Sequence, residues 1–478
     1  METAGVGETT VTRAGDCASI AARIQRLPTT RFSCLIVLFA AGALILEALD
    51  IGVLGTILPV LRKVFALPPS QVGLLVASST IGIVIGMIPA GRLADRFGRK
   101  PLLITGILWF TAGTAIAGLS PSFTFLLIVR GLSGLGMAAV FIVPYTIVSE
   151  FVSDRCRAAF AGILETALGL GYLFAPLLGL VVIRLVPPAL AWRVFFLVAS
   201  APILYVWVIW RYMPESPRWL SRVGKTDEAD RVLTAIEARI ERITGRPLPS
   251  PCTMPADVSS ALPTAAGASL GSVWRPPYLT RTIGLICGFV GVGSMWYLAI
   301  FYVPSIFVAH HIVLSSALLF TLVINAAQIP GKLLNGVLGE IIGRKGVYVI
   351  YTLLAVIGVY CFGRASTPLA LVVFGSLMMF AAAGSAPSYK MWYAECYPTP
   401  IRATGQSTVE SIGIRLIAGV GFSYFFPQIL SAFGSETTMT IVAIMGCISL
   451  IIGVALIPET NRRTLEELEA GVLRPRVA

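Results

Sequence analysis

Charge is scarce in this 478-residue sequence. Charged residues make up 13% of it, about half the share of an ordinary soluble domain, and hydrophobic residues make up 56%. Such a composition excludes a soluble globular protein. Several apolar runs are longer than the ~20 residues that a helix needs to cross a bilayer. Because backbone polar groups in lipid must find partners within their own segment, these runs are predicted to be membrane-spanning helices.

Catalytic and metal-binding motifs are missing as well. The sequence has no GxSxG, Walker A, HExxH or CxxC motif, and its two histidines, His310 and His311, are adjacent in a predicted outer loop. Most of the eight cysteines lie in or beside apolar runs, where they are expected to be small core residues. We therefore expect neither an enzyme nor a metal site.

The net charge of +12 is distributed unevenly along the chain. Basic residues cluster before the first predicted span and in alternate short loops, whereas the opposite loops hold few. This positive-inside bias predicts that both termini are cytoplasmic, with tails at 1–32 and 458–478. Residues 1–31 lack the features of a signal peptide. We interpret the basic excess as membrane topology rather than a nucleic-acid surface, and expect a multi-pass protein of a bacterial-type inner (plasma) membrane.

Twelve apolar spans are predicted, six on each side of a polar, proline-rich segment. They are 33–60, 71–92, 101–119, 122–149, 158–183, 191–212, 281–308, 314–338, 346–363, 367–393, 402–430 and 436–457. Residues 33–212 and 281–457 are thus two six-helix halves. The intervening segment, 213–280, is predicted to be a cytoplasmic loop that contains an amphipathic helix.

The two halves repeat the same motifs in one register. The pattern Gly-x-x-x-acid-x-x-Gly-Arg-Lys occurs at 91–100 and again at 336–345, and Glu150 and Arg157 return at the same offset as Glu395 and Arg402. Six helices between equivalent points preserve direction, so the halves are predicted to be parallel repeats about an axis along the membrane normal. A substrate site is expected near the midplane between them.

These motifs resemble those of the major facilitator superfamily over essentially the whole chain. Residues 91–100 (GRLADRFGRK) match its loop motif, and Arg130-x-x-x-Gly134-x-Gly136 resembles its fourth-helix motif. Residues 214–220 resemble the segment after helix six in sugar porters and organic-ion transporters, and 395–405 resemble the corresponding segment of aromatic-acid and niacin transporters and their organic-ion relatives. The acidic pattern at 47–50 is similar to that of aromatic-acid and niacin transporters. The resemblance implies an all-α fold of twelve helices in two pseudo-symmetric halves that moves a small molecule by alternating access; we expect a monomer.

Asp50 and Arg130 are predicted to form a pair in the N-terminal half. At 1.5 Å per residue both lie about 12–13 Å below the outer surface, in the first and fourth spans. An ionisable side chain within a span is costly to insert, so its presence indicates a pairing or a functional role. One reading is a static buried salt bridge. The other interpretation, implied by the resemblance to sugar porters, is a proton switch at Asp50. Glu47 is the next candidate for this role. We expect no cofactor, since the proton gradient supplies the energy.

Arg415 is predicted near the midplane of the eleventh span. It has no acid three or four residues away, and Glu410, five away, is expected to face elsewhere. Because a guanidinium binds carboxylates bidentately, Arg415 is a candidate for a substrate carboxylate; a partner from another helix is the alternative. Lys390 is expected to extend towards the cytoplasmic surface.

Other candidate substrate contacts are spread over several spans. Glu165 and Glu410 occupy equivalent positions in the repeat, and either line the inner part of the cavity or brace it against loop arginines. The remaining candidates are two amides and four aromatic residues: Asn325, Gln328, Trp296, Tyr297, Tyr389 and Trp392.

Charged residues at the cytoplasmic helix ends are predicted to gate that side, and topology alone is the alternative. They are Asp95, Arg99, Glu150, Arg157, Glu215 and Arg218 in the first half and Glu340, Arg344, Glu395, Arg402 and Glu459 in the second.

The resulting functional prediction is proton-coupled uptake of a small organic anion, an aromatic or heteroaromatic carboxylate. Three rivals stay open. They are sugar–proton symport, drug–proton antiport, which the small residues Gly162, Gly171 and Gly179 of the fifth span would suit, and a nutrient receptor that binds without transport.

Overall fold

The computed structural model describes residues 20, 22–28, 30–152, 154–250, 270–398 and 401–460, excluding the side chains at 154–159, 188, 189, 270 and 403. Its regular structure is helical. Six membrane helices form the N-terminal half. They are α1 (Arg31–Val64), α2 (Pro69–Phe97), α3 (Arg99–Gly118), α4 (Phe123–Phe151), α5 (Asp154–Leu185) and α6, which consists of Pro188–Ala199 and Ile203–Tyr212.

The C-terminal half begins after the central loop. Its first four membrane helices are α7 (Leu279–Phe301), α8 (Leu314–Ala326 followed by Gln328–Ile341), α9 (Gly343–Arg364) and α10 (Pro368–Gly384 followed by Ala386–Glu395). Outside the membrane helices lie the short helices Pro217–Arg222 and Val303–Ala309, the amphipathic helix Thr226–Thr244 and a 3-10 turn at Leu270–Trp274.

The last apolar helix is long enough for two spans. Thr404–Leu456 contains 53 residues, which at 1.5 Å per residue is more than twice the ~30 Å of a hydrocarbon core. Gly434 interrupts it with φ 74° and ψ 174°, a conformation that a residue with a Cβ rarely adopts. We therefore divide it into α11 (402–433) and α12 (435–456). With this division the described residues contain the twelve spans that the sequence predicts.

The halves meet closely near the C-terminal ends of α1 and α7. Gly55 of α1 lies against the backbone of Ile300 and Phe301 at the end of α7, and a Cβ on Gly55 would lie 2.2 Å from the carbonyl oxygen of Ile300. Small residues permit this kind of backbone approach between membrane helices. The structure is thus closed between the C-terminal ends of α1 and α7.

The amphipathic loop helix holds the segment that precedes α1. Glu237 accepts hydrogen bonds of 2.7 Å from both Arg23 and Arg26, and Arg23 also pairs with Asp230. Burial raises the pKa of Glu237, but the hydrogen bonds from the two guanidinium groups outweigh it and leave the pKa below its ordinary value. An ion-pair cluster therefore joins the segment that precedes α1 to the amphipathic helix of the central loop.

Candidate functional site

Asp50 and Arg130 form a fully buried ion pair inside the N-terminal half. Arg130 Nη1 donates to Asp50 Oδ2 at 2.8 Å, and Thr114 of α3 donates to Asp50 Oδ1 at 2.5 Å. The Arg130 guanidinium lies 5.6 Å from the ring centre of Phe196 on α6. The pairing predicted from helix depth is present, and α1, α3, α4 and α6 all contribute to it. Whether it moves protons stays a prediction.

Glu47 lies three residues before Asp50 on α1, so both face the same side of the helix. Its side chain is completely buried, and neither carboxylate oxygen has a hydrogen-bond partner among the described residues. A buried carboxyl group without a partner is costly in its charged form. This position therefore favours a protonated carboxyl group, although the contacts do not assign it a role in transport.

A central cavity lies between the two halves. It has about 590 Å³ of space free of protein atoms, its open mouth included. Residues from α4 and α5 line one side, and residues from α7, α8, α10 and α11 line the other. Its lining is Phe141, Glu165, Leu168, Tyr172, Phe289, Val292, Gly293, Trp296, Lys332, Ala382, Ala383, Ala386, Tyr389, Lys390, Glu410, Ile414 and Arg415. Of the predicted substrate contacts, the structure brings Glu165, Glu410, Arg415, Trp296 and Tyr389 to this cavity.

Arg415 does have a partner on its own helix, contrary to the sequence prediction. Residues Glu410–Phe422 form a π-helix, in which hydrogen bonds join residues five apart. Glu410 and Arg415 consequently lie on the same face, with Glu410 Oε1 3.8 Å from Arg415 Nε. That distance allows attraction but exceeds a hydrogen bond. The guanidinium also lies 4.2 Å from the ring centre of Phe141 on α4, across the cavity.

Lys390 extends into the bundle instead of towards the cytoplasm. Its ammonium group pairs with Glu165 of α5, so the bridge joins the two halves. Tyr145 Oη donates to the same carboxylate at 2.5 Å, and Lys332 donates to the backbone carbonyl oxygen of Glu165 at 2.7 Å. The snorkelling prediction for Lys390 is wrong because a buried carboxylate of the other half offers the ammonium a nearer partner. Glu165 therefore contacts two lysines that line the cavity, Lys332 and Lys390.

Four predicted substrate contacts lie outside the cavity lining. Trp392 is buried and donates to the carbonyl oxygen of Pro458 at 2.9 Å. Tyr297 stacks on Phe301 and packs edge-to-face against Trp296. Asn325 donates to the Tyr172 carbonyl oxygen at 3.0 Å, and Gln328 donates to the Asn325 carbonyl oxygen at the same distance. Asn325 thus fastens α8 to α5, and the Gln328 bond lies within α8 at its break.

Phe141 and Lys332 line the cavity, and Tyr145 lies beside it against Lys390, although the sequence predicts no role for these three residues. Phe141 and Tyr145, four residues apart on α4, face the same side, and the ammonium of Lys390 lies 5.5 Å and 5.1 Å from their ring centres. Lys332 is a lysine within the eighth span, and its charge was a signal that could have identified it. The aromatic residues carry no comparable signal in a sequence with this many apolar residues.

Three helices of the N-terminal half are tied together at the ends that are predicted to be cytoplasmic. Arg99 of α3 pairs with Glu150 of α4 at 3.0 Å and with Asp95 of α2 at 2.9 Å. Glu215, after α6, accepts a hydrogen bond of 3.1 Å from the backbone N–H of Arg99 at the start of α3. A carboxylate is favoured at this position by the helix dipole. Arg218 is half-buried in the adjacent short helix.

The C-terminal half repeats this cluster. Arg344 of α9 pairs with Glu395 of α10 at 3.0 Å and with Glu340 of α8 at 3.2 Å. Glu459 accepts from the backbone N–H of Arg344 at 3.2 Å. Arg402 donates to the carbonyl oxygen of Tyr397 at 3.3 Å, and the side chain of Arg157 lies outside the described residues. Each of these ion pairs joins helices of a single half.

Residues 35–471 match the family model described as "Sugar (and other) transporter". The chain belongs to this family. The niacin transporter NiaP of Acinetobacter baylyi is 29% identical to it, covering 94% of this chain and 99% of that protein. The inner membrane metabolite transport protein YgcS of Escherichia coli is 28% identical, covering 92% and 94%. The inward-open structure of the xylose transporter XylE from E. coli superposes with a TM-score of 0.74 at 20% identity, covering 92% and 99%.

Membership of this transporter family confirms three predictions from the sequence. The protein is a membrane transporter of small molecules, it resembles both niacin transporters and sugar porters, and it is not an enzyme. The likeness to XylE also confirms the twelve-helix major facilitator fold.

In this transporter we expect Glu150→Gln to have a larger effect on stability and on thiol labelling than Asp95→Asn. The side chains of Arg99 and Glu150 are 4% and 9% exposed, whereas that of Asp95 is 63% exposed. Removing one partner of a buried pair costs about 3–5 kcal/mol, but an exposed pair contributes only about 0–1 kcal/mol. Glu150→Gln should lower the apparent Tm in detergent and increase thiol labelling at the cytoplasmic face, with substrate binding retained.

The second half supplies the matched comparison for this prediction. Glu395→Gln and Glu340→Gln remove the corresponding partners of Arg344, and we expect the same order of effects. Equal effects of Asp95→Asn and Glu150→Gln would contradict the larger contribution that we assign to the buried Arg99–Glu150 pair.

Proposed function

We propose that this transporter is a monomeric proton-coupled symporter that takes up a small aromatic or heteroaromatic carboxylate across the bacterial inner membrane. The observation that carries the proposal is the position of Arg415, a buried guanidinium that lines an aromatic-rich cavity between the halves. Its fork suits a carboxylate, and Phe141, Tyr172, Trp296 and Tyr389 offer surfaces for a flat ring. The niacin relative transports a compound of this class.

The charges of the cavity lining also favour an anion. Lys332, Lys390 and Arg415 are basic, and Glu165 and Glu410 are acidic. With all five ionised the lining has one excess positive charge, which a monocarboxylate would neutralise and a neutral sugar would not. Attraction within a cavity of low dielectric is strong, so this excess contributes to the choice of substrate.

The proposed energy source is the proton gradient, acting at Asp50. When Asp50 is ionised it holds Arg130; when it takes a proton it loses the charge that attracts the guanidinium. Thr114 and the helices around the pair would then be free to change their packing, which links protonation to the opening of one side. Alternation of the two states would couple proton entry to substrate entry.

Uptake by cells that express the protein tests this proposal. Labelled nicotinate, benzoate and xylose are offered with and without a protonophore. We expect accumulation of a carboxylate that the protonophore abolishes. Xylose accumulation would instead establish the sugar symporter, export that depends on the proton gradient would establish the antiporter, and binding without accumulation would establish the receptor.

A further inference from the structure

Glu165 lies at the seam of the cavity, where groups of both halves meet it. Lys390 of α10 and Tyr145 of α4 both contact its Oε1 atom, and Lys332 of α8 binds its backbone carbonyl oxygen. The side chain of Glu165 is 7% exposed, and that of Lys390 is 27% exposed. The Glu165 carboxylate is thus held by several partners, whereas part of the Lys390 side chain is exposed in the open cavity.

Lys390 and Arg415 approach the same aromatic ring. The ring centre of Phe141 lies 5.5 Å from Lys390 Nζ and 4.2 Å from Arg415 Cζ. Both distances fall within the range of cation–π attraction. Because all three residues line one cavity, the two cations face the same space from either side of one ring.

We propose that Lys390 is a second cation for the substrate carboxylate and that Glu165 is its internal competitor. This inference rests on the proposed function. An incoming carboxylate would take the place of the Glu165 carboxylate on the Lys390 ammonium. Lysine suits such an exchange, since its ammonium is a compact charge on a flexible stem and has no fixed fork that must be matched.

The exchange has two consequences for transport. A neutral compound brings no negative charge, so it would leave the Lys390 ammonium without a carboxylate if it separated Lys390 from Glu165. A carboxylate ligand replaces that partner, and this difference discriminates against the neutral compound. Because Glu165 and Lys390 belong to different halves, an anion that separates them also removes a contact between the halves. The ligand then binds the two conformations with different affinities, which a shift in conformation requires.

Affinities of matched carboxylate and amide ligands test the inference. The full-length protein, reconstituted in nanodiscs, is titrated at one pH with nicotinate and nicotinamide and with benzoate and benzamide. Lys390→Gln should lower the carboxylate affinity at least about tenfold and change the amide affinity less than about twofold, since only the carboxylate interacts with the ammonium as an anion. Glu165→Gln should raise the carboxylate affinity at least about threefold because the competitor is gone.

Lys332→Gln is the charge-matched comparison. It removes one positive charge from the same cavity but leaves the Lys390–Glu165 pair, so it should lower the ratio of carboxylate to amide affinity clearly less than Lys390→Gln does. The double variant Glu165→Gln with Lys390→Gln leaves neither charge unpaired and guards against misfolding of a single variant. It should bind carboxylates as weakly as Lys390→Gln alone.

Three results would overturn the inference. They are equal effects of Lys332→Gln and Lys390→Gln on the affinity ratio, a loss of carboxylate affinity in Glu165→Gln, and a double variant with wild-type affinity. The proposed function fails, independently of this inference, if the wild-type protein binds no carboxylate more tightly than the corresponding amide. If the wild type does show that preference and Arg415→Lys weakens it while Lys390 and Glu165 variants do not, the inference alone fails.

Discussion

Replacing Asp50 with Asn should abolish the accumulation of substrate against its gradient while leaving downhill exchange in place. Asparagine has nearly the shape of a protonated aspartic acid, so the buried site keeps its volume, but the charge that holds Arg130 at 2.8 Å is permanently absent. The variant then behaves as a carrier whose proton never leaves. The measurement is counterflow and pH-driven accumulation in the same proteoliposomes, where accumulation should fall to an inside-to-outside ratio of about one, since no proton movement is coupled.

Glu47→Gln is the comparison for Asp50→Asn, because it removes another buried carboxyl group from the same face of α1. We expect it to retain more pH-driven accumulation than Asp50→Asn. Substrate that Asp50→Asn still concentrates under a pH gradient alone would place the coupling site elsewhere. Loss of accumulation in Glu47→Gln, with Asp50→Asn active, would identify Glu47 as that site.

Replacing Arg415 should have the largest effect on substrate affinity. Arg415→Lys keeps the charge but loses the planar fork, so the affinity for a carboxylate should fall at least about tenfold, which corresponds to about 1.4 kcal/mol. Arg415→Ala should be worse, because it also leaves the Glu410 carboxylate, 3.8 Å from the guanidinium, without its helical partner. Equilibrium binding of labelled carboxylate to the reconstituted protein provides the measurement.

Glu410→Gln separates a direct contact from a structural role of Arg415. It removes the partner but leaves the guanidinium, so carboxylate affinity should be kept or increased. Wild-type affinity in Arg415→Ala would show that the guanidinium does not meet the substrate.

The twelve spans and the Asp50–Arg130 pair could be predicted because both depend on regular helices. Span length follows from the thickness of the bilayer, and the rise of an α-helix converts residue number into depth. Asp50 and Arg130 lie in continuous α-helix between the bilayer surface and their own position, so the predicted depths agreed and the pair is observed.

The lining of the cavity was less accessible to sequence reasoning because it depends on local departures from the α-helix and on contacts between the halves. The prediction that Glu410 faces away from Arg415 assumed 3.6 residues per turn, and the π-helix at Glu410–Phe422 changes that relation. No periodicity within α10 indicates that Lys390 meets Glu165, because the carboxylate belongs to the other half. The aromatic candidates were found only in part, because packing residues and cavity residues have the same composition.

The acidic and basic side chains in the middle of the described bundle have equal numbers. The acids are Glu47, Asp50, Glu165 and Glu410, and the bases are Arg130, Lys332, Lys390 and Arg415. Glu47 has no hydrogen-bond partner among the described residues that would stabilise its charge; with Glu47 neutral and the other seven groups ionised, the empty carrier has one positive charge there. A monovalent anion and one proton together add no charge, so the loaded carrier has the same charge as the empty one. Each elementary charge that crosses 100 mV exchanges about 2.3 kcal/mol with the membrane potential. With one proton per anion, the electrical work of the loaded step and that of the empty step therefore cancel over a transport cycle, and we expect accumulation at a fixed pH gradient to be the same whether or not valinomycin and potassium impose a voltage.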